Sequence, residues 1–514
     1  MATAEPTHYV RSQGVALCVR KWGSRINADG CLTRSIFHDP LTSESEGYPT
    51  YSLRAGWSYA DGRLVIHADR LGIIPIYFYA NDNEIIVSDS IVELPRRFPK
   101  IEIDLFEVYA FLKLGVYLGT ATPFRGVQRL RPGEVVVWDR GAMTRWAPTA
   151  DCTPYAGTRR EALDEAQHLF EQAIRRRRHE NLRPIVPVSG GRDSRHVLLE
   201  LARQRVPGLQ AVTVRYLYNY PEDVRVGRLI AHTTSVPHIV LSNDHRKYFL
   251  QLADQILINS FETTLHGWMR PLTAQFSTKN FLVYDGIGGD ALLNSAYAHV
   301  LPRDMFSSVQ SGNVERMADT FVGGDFEPPR YLKKVGECRD FGSRLKDRLV
   351  EEMSRHACAP DIMCRFMYEH RTRRATGVAP ISVVGSSAEV SLPYLDEDLM
   401  AFAYRLPATE YWNTGFHDEM IAKHYPRFTH LGYERIELRD TSRLDRSLEL
   451  RLLFAYVPIL FRGLMSGVVR RFQALSRFLW CCFKLRMSDY FYVADSVIYF
   501  DTLRRRAKAT GSSK

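Results

Sequence analysis

The stretch Val188-Ser189-Gly190-Gly191-Arg192-Asp193-Ser194 limits the folds open to this chain more than any other. It follows a short apolar run, Pro184 to Val188, and leads into an apolar-periodic segment, His196 to Leu201. A strand that breaks into Ser-Gly-Gly and turns straight into a helix builds an anion site. The glycines let backbone N–H groups approach a phosphate, and the helix start adds the positive end of its dipole. Asp193 and Ser194, immediately downstream, supply a carboxylate for a metal ion and a hydroxyl for a phosphate oxygen. The spelling is not that of the P-loop, which needs a Lys-Ser/Thr pair after its last glycine. A tight strand-to-helix turn without a ligand is the competing reading of the same residues.

Length sets the scale: 514 residues exceed one ordinary core, so two or three domains are expected. Hydrophobic residues make up 45% and charged residues 25%, a balance typical of globular rather than disordered chains. No window approaches the roughly 18 uncharged apolar residues of a membrane span. The segment Met1 to Arg20 lacks a basic-then-apolar leader pattern, so a cytoplasmic location is expected. Of eight cysteines, none is spaced Cys-x-x-Cys, and reduced, mostly buried thiols are expected. The net charge is +10, from 68 basic and 58 acidic residues, but the charges are dispersed. Arg175 to Arg178 end an amphipathic segment in which Leu163, Ala166, Phe170, Ala173 and Ile174 share a face. Such a basic helix end is read as solvated. With no nucleic-acid-binding motif in the chain, no nucleic-acid partner is expected.

The amino-terminal part reads as strands: Gly56 to Tyr59, Arg63 to Ala68, Pro75 to Tyr79, Glu84 to Ser88 and Val135 to Trp138. Asp61-Gly62 and Asn81-Asp82-Asn83 punctuate them as turns. A polar stretch, Ala147 to Thr158, reads as a linker before the first strong helix. Beyond it, strand and helix alternate: Ile185 to Val188, Ser194 to Arg203, Gln210 to Arg215, Val224 to Ala231, His238 to Leu241. That alternation predicts a doubly wound parallel sheet with its ligand at the carboxyl ends of the strands. Helical patterns dominate from Arg303 onward.

Six segments, in order, resemble the asparagine synthetase family. Asp69-Arg70-Leu71-Gly72-Ile73-Ile74-Pro75-Ile76-Tyr77-Phe78 is similar to its DRxGxxPLYY segment, and Val87-Ser88-Asp89-Ser90 to its FASE-like strand. Thr122-Pro123-Phe124-Arg125-Gly126-Val127 with Leu130-Arg131-Pro132-Gly133 is similar to TxFxGIxxLxPG. Ser189 to Ser194 matches SGGxDS, the signature of ATP pyrophosphatases. Asp285-Gly286-Ile287-Gly288-Gly289-Asp290 resembles SGEGADE, and Glu389-Val390-Ser391-Leu392-Pro393-Tyr394-Leu395-Asp396 resembles ExRxPFLD. The resemblance covers residues 50–435. It implies a two-domain protein of mixed α/β and α+β class. Residues 1–148 would form an Ntn-hydrolase-like β-rich sandwich. Residues 159–435 would form a doubly wound ATP pyrophosphatase domain, and 436–514 a basic, aromatic helical extension.

The departures are as specific. The family's glutaminase nucleophile is a cysteine directly after the initiator Met; here Ala2 stands there, and the nearest cysteines are Cys18 and Cys31. A thiol in that place is activated by its own terminal amine, so glutamine hydrolysis is not expected. Ile287 replaces the glutamate of SGEGADE, and Ser391 the arginine of ExRxPFLD. Lys423 and His417 are both candidates for the lysine that the family places downstream.

The resemblance assigns ATP and Mg²⁺ as cofactors. Ser189, Gly190, Gly191 and Ser194 would hold the pyrophosphate, Pro187 and Val214 flank the adenine, and Asp285 and Gly286 touch the nucleotide. Asp193 and Asp290 would bind Mg²⁺, which favours hard oxygen ligands. Core packing for Val214 and helix capping for Asp290 are the alternatives. Glu389, paired with Asp193 as catalytic, would orient or deprotonate an amine, against an alternative of a surface glutamate. Arg371, Arg373 and Arg374 are read as an exposed helical face or as contacts to an acidic substrate, and His266-Gly267-Trp268 as core packing.

The implied reaction is adenylation of a carboxylate and transfer to ammonia or a substrate amine. The partners are therefore a small-molecule or peptide carboxylate and an amine, and a homodimer is compatible. A specialised cyclase, of the lasso peptide macrolactam or β-lactam type, and a non-catalytic nucleotide-binding subunit are the alternatives. In the tail, Leu452, Leu453, Val457, Leu460, Phe461 and Leu464 suggest a helical stripe interrupted by Pro458. Folding back onto the protein is expected of it rather than lying on a membrane.

Overall fold

The computed structural model describes residues 15–22, 25–38, 53–97, 101–148, 151–215, 221–242, 248–278, 280–293, 303–323, 340–412, 414–432 and 487–508, with isolated positions between them. Two architectures follow one another along the chain. The first is built from β1 (Ala16–Trp22), β2 (Arg25–Gly30), β3 (Thr33–His38), β4 (Leu53–Ala60), β5 (Arg63–His67), β6 (Tyr77–Asn81) and β7 (Glu84–Ser88). Helix α1 (Leu105–Leu114) and strands β8 (Val127–Arg129), β9 (Val135–Asp139) and β10 (Ala142–Trp146) complete it. These strands form two antiparallel sheets, ordered β2-β1-β7-β6-β8 and β10-β9-β5-β4-β3.

Side-chain alternation explains why the two sheets stack. Leu17 and Val19 of β1, Ile85 and Val87 of β7, Leu64 and Ile66 of β5, and Val136 and Trp138 of β9 meet in one buried cluster. Cys18 and Ile86 point the other way and pack with Phe111 of α1, so the first sheet carries helices on its outer face. The outward side of β10 is exposed along its whole length.

A capping box starts the second architecture: the Thr158 hydroxyl accepts from Glu161 N–H, and the Glu161 carboxylate accepts from Thr158 N–H. From there run α2 (Arg159–Arg176), β11 (Arg183–Pro187), α3 (Arg192–Arg203), β12 (Gln210–Arg215), α4 (Pro221–Thr233) and β13 (His238–Ser242). They are followed by α5 (Tyr248–Ile258), β14 (Phe281–Tyr284), α6 (Gly289–Leu293), α7 (Phe341–Ser354), α8 (Ile362–Met367), β15 (Glu389–Ser391) and α9 (Phe416–His424). The sheet is wholly parallel, in the order β13-β12-β11-β14-β15. Order reverses between β11 and β14, which opens a crevice at their carboxyl ends, the usual place for a ligand in such sheets.

Several expectations change here. Arg373 and Arg374 are buried, not on an exposed face. They lie on a π-helical turn, Tyr368–Thr376, that joins the two architectures. Arg374 donates to the carbonyls of Gly119 and Ala121 and to Glu262, while Arg373 donates to the Leu130 carbonyl. Burial by itself would raise the Glu262 carboxyl, but Arg374 and Arg129 outweigh it and hold it at about 2. Gly72, at φ +64, is required beneath this cluster, because a Cβ there would lie 2.9 Å from the Arg373 guanidinium. The arginines ending α2 are not merely solvated either: Arg177 is buried, and with Arg176 it pairs with Asp396.

Not all thiols are reduced, since Cys152 and Cys358 form a disulfide across 206 positions; Cys18 and Cys364 are buried and outside any disulfide. The expected stripe from Leu452 to Leu464 lies outside the described residues apart from isolated Pro458 and Phe461. Helix α10 (Met487–Lys508) does fold back. Its Val497, Tyr499, Phe500 and Leu503 bury against Phe111 and Tyr117 of the antiparallel part and Leu252 and Ile256 of α5. Among the described residues, no helix is long and apolar enough to cross a membrane.

Candidate functional site

Strand β11 ends at Pro187, and Val188 extends its ladder through an N–H donated to the Val212 carbonyl at 2.7 Å. The chain then turns through Ser189, Gly190 and Gly191 into α3, whose N-cap is Gly191 in extended conformation with no side-chain cap. A helix start without a side-chain cap leaves amide donors available to an external anion. Within the turn, Ser189 N–H donates to the Ser194 hydroxyl at 3.1 Å, and Gly191 N–H to the Ser189 hydroxyl at 3.2 Å. Gly190 N–H donates to the Asp223 carboxylate at 2.7 Å, so one amide of the turn already holds a negative group.

The loop after β14 packs directly on this turn. A Cβ on Gly286 would lie 2.7 Å from the Ser194 nitrogen, and one on Gly289 2.7 Å from the Asp193 carboxyl carbon. Only glycine permits that approach. Asp285 N–H donates to the Ser391 carbonyl at 2.9 Å, and its carboxylate accepts from Ile287 N–H at 2.9 Å. Burial pushes the Asp285 carboxyl up to about 6.

Asp193 and Asp290 meet in this crevice: Asp290 N–H donates to Asp193 Oδ2 at 3.0 Å. Asp193 Oδ1 and Asp290 Oδ1 are buried without hydrogen-bond partners, as is His417 Nδ1. One ligand atom from each of Asp193, Asp290 and His417 lies within 4.8 Å of the others. Burial, then the neighbouring Asp290 carboxylate, pushes Asp193 well above the usual range, as two carboxylates sharing one site require. Asp290 does not cap a helix; it lies inside α6 with its carboxylate oxygen turned to Asp193.

The predicted nucleotide-contact positions converge. Ser189, Gly190, Gly191, Asp193 and Ser194 follow β11, Asp285 and Gly286 follow β14, and the neighbouring strand ends supply Pro187 and Val214, both buried. Glu389 does not converge with them. It starts β15 opposite Leu282, three positions before Asp285, which sets it about 10 Å upstream along the sheet at the rise of a strand. Lys423 turns away, bonded to Asp164 at 2.6 Å. His266 and Trp268 bond to one another at 3.2 Å beside the core, as packing residues.

Sequence reasoning missed the polar partners behind the crevice. His196 Nδ1 lies 2.8 Å from the Tyr394 hydroxyl and 3.2 Å from His417 Nε2, and its Nε2 lies 3.1 Å from Gln167 Oε1. Burial depresses the imidazole of His417 to about 4 and that of His196 well below its ordinary value. A signal for them did exist. Asp193, His196 and Glu200 follow the i, i+3, i+7 spacing of one helix face, which Val197 shares.

Two family models match the chain: a glutamine amidotransferase domain over residues 51–149, and asparagine synthase over residues 165–427. No curated protein shows significant similarity. Among solved structures, glutamine phosphoribosylpyrophosphate amidotransferase from B. subtilis, complexed with ADP and GMP, is 8% identical with a TM-score of 0.13. The match covers 47% of this chain and 44% of that one.

Proposed function

The chain belongs to the asparagine synthase family, and on that premise we propose that it is an AMP-forming amide ligase without glutaminase activity of its own. It activates a carboxylate with ATP, releases pyrophosphate, and passes the acyl group to ammonia or a substrate amine. The observation that carries this reading is the meeting of the Ser189–Ser194 turn with two unpartnered carboxylate oxygens, those of Asp193 and Asp290, at the reversal of strand order.

A carboxylate does not condense with an amine because its oxygen leaves poorly. Converting it into an acyl adenylate requires the carboxylate and the α-phosphorus to be aligned, and the charge growing on pyrophosphate to be offset. In this assignment the hydroxyls of Ser189 and Ser194 and the amides at the start of α3 receive the pyrophosphate. Pro187 and Val214 flank the adenine, and Asp285 and Gly286 border the nucleotide. The donor set of Asp193 and Asp290 fits Mg²⁺, which supplies charge neutralisation at the phosphates when bound.

The absence of glutamine hydrolysis rests on where the thiols stand. Cys18 lies in mid-strand, paired to Asp29 on one side and Ile86 on the other, with its side chain buried. Cys31 is occupied in a turn, its thiol donating to the Thr33 carbonyl. The carboxylate partner is a small molecule or a peptide; an enzyme that dispenses with glutaminase chemistry suits a cyclase, in which the amine belongs to the same substrate. The test is ATP–pyrophosphate exchange with the purified chain against a panel of amino acid, peptide and β-amino acid carboxylates. Carboxylate-dependent exchange supports a ligase; ATP binding with no exchange for any carboxylate would leave the non-catalytic subunit as the better reading.

A further inference from the structure

We infer that His417 is a direct ligand, through Nδ1, of the ion that Asp193 and Asp290 hold, making a mixed nitrogen–oxygen centre that prefers a divalent first-row transition ion to Mg²⁺. The inference rests on the reading of Asp193 and Asp290 as metal carboxylates and adds the third donor and the metal class.

His417 is wholly buried at the first turn of α9, with Nδ1 3.5 Å from Asp193 Oδ1 and no hydrogen-bond partner. Which nitrogen carries the proton is dictated from behind. Glu200 accepts from Arg203, from Gln204 at 2.6 Å and from the Tyr425 hydroxyl. The Tyr425 oxygen then accepts from Gln167 Nε2 at 2.8 Å, which fixes the orientation of that amide. Gln167 Oε1 must therefore accept, and only His196 Nε2–H faces it, at 3.1 Å. His196 Nδ1 is left as an acceptor, filled by the Tyr394 hydroxyl at 2.8 Å. The Tyr394 oxygen in turn accepts from His417 Nε2–H at 3.0 Å.

The arrangement that pairs every donor thus protonates His417 on Nε2 and leaves Nδ1 as a lone pair. That lone pair faces the unpartnered oxygens of Asp193 and Asp290. Three electron-rich atoms sharing one buried spot repel unless a cation lies among them. The 3.5 Å between His417 Nδ1 and Asp193 Oδ1 suits two ligands on one ion at about 2.0–2.2 Å from each donor. Imidazole nitrogen contributes little to Mg²⁺ and more to first-row transition ions, least to Mn²⁺ and increasingly towards Cu²⁺. The buried relay from Glu200 to Tyr394 is the outer support that ligating histidines require.

The experiment uses the full chain and Mn²⁺ as probe. Binding is followed by loss of the free-ion resonance, and ligation by pulsed electron paramagnetic resonance, which detects nitrogen coupled to the bound ion. The expected result is a ¹⁴N coupling that becomes ¹⁵N when the protein is made with ¹⁵N-histidine. His417→Gln should lose the coupling and weaken Mn²⁺ more than it weakens Mg²⁺, the latter measured by competition. Because the labelling readout needs only the unaltered protein, it stands even if the variant does not fold. Mn²⁺ bound without nitrogen coupling, and lost in Asp290→Asn, overturns the role of His417 alone. Mn²⁺ that does not bind the unaltered chain overturns the carboxylate site and this inference together.

Discussion

Two buried charged clusters divide the labour of this molecule. Around Glu262, where the antiparallel and parallel parts meet, the carboxylate receives Arg374 at 2.7 and 3.0 Å, Arg129 at 3.0 Å and the Tyr77 hydroxyl at 2.8 Å. Around Asp193, the carboxylates of two loops face each other and a histidine nitrogen, with three polar atoms unpartnered. Glu262 and the unpartnered atoms of the second cluster lie out of water, where an unpaired charge is costly. The first neutralises itself with the chain's own cations and therefore holds parts together. Among the described residues, the second has no arginine or lysine bonded to its two carboxylates, which is why a metal ion is proposed for it.

The sharpest break in that comparison is at the open cluster. Asp193→Asn or Asp290→Asn should lower metal-dependent pyrophosphate exchange by about a thousandfold, the scale of losing a major electrostatic contact. Thermal stability should hold or rise, because removing one of two facing carboxylates relieves repulsion. A large fall in the melting temperature of either variant would show that the pair is structural. At the closed cluster the order is inverted: Arg374→Met removes one of the two guanidiniums on Glu262 and should cost about 3–5 kcal/mol in urea unfolding. Little stability change there would remove the distinction between the two clusters.

Acid should separate them as well. Glu262 is held at about 2 from an ordinary 4.5, so its contribution is complete above pH 4.5 and lost as pH falls through 2. Unfolding measured across that window should show roughly 3 kcal/mol of lost stability, and Glu262→Gln should flatten the slope. At the periphery, Leu503→Ala in the returning helix should cost about 2–5 kcal/mol at most, seen as a lower urea midpoint. The smallest effect is expected in the amino-terminal part: Cys18→Ala should leave pyrophosphate exchange unchanged and release no less glutamate than the parent. Glutamate release that disappears with Cys18 or Cys31 would restore glutaminase function.

Much of the site was legible because glycine and turn chemistry act over a few residues. Ser189 to Ser194 and Asp285 to Asp290 announce loops after strands by spelling alone, and the strand–helix alternation around them predicts a parallel sheet. The arginines were not legible. Arg177, Arg373 and Arg374 end or interrupt helices as surface cations do, and their burial depends on Asp396, Leu130 and Glu262 respectively, each more than a hundred positions away in sequence. The same holds for the bonded pair Cys152 and Cys358, whose spacing carries no local signal.

The sequence by itself determined the family, the two-part plan and the loops that gather at the crevice, since each rests on backbone freedom and hydrophobic period within a short window. Only the tertiary structure decided which side chains complete the site. Glu389 and Lys423 are the right residue types, but strand register holds one upstream and a bond to Asp164 draws the other aside. His417 occupies the position instead, because the packing of α2, α3 and α9 buries it against Tyr394 and His196 and leaves a single nitrogen facing Asp193. Contacts of that range are fixed by how elements pack, and packing is a property of the whole chain rather than of any segment.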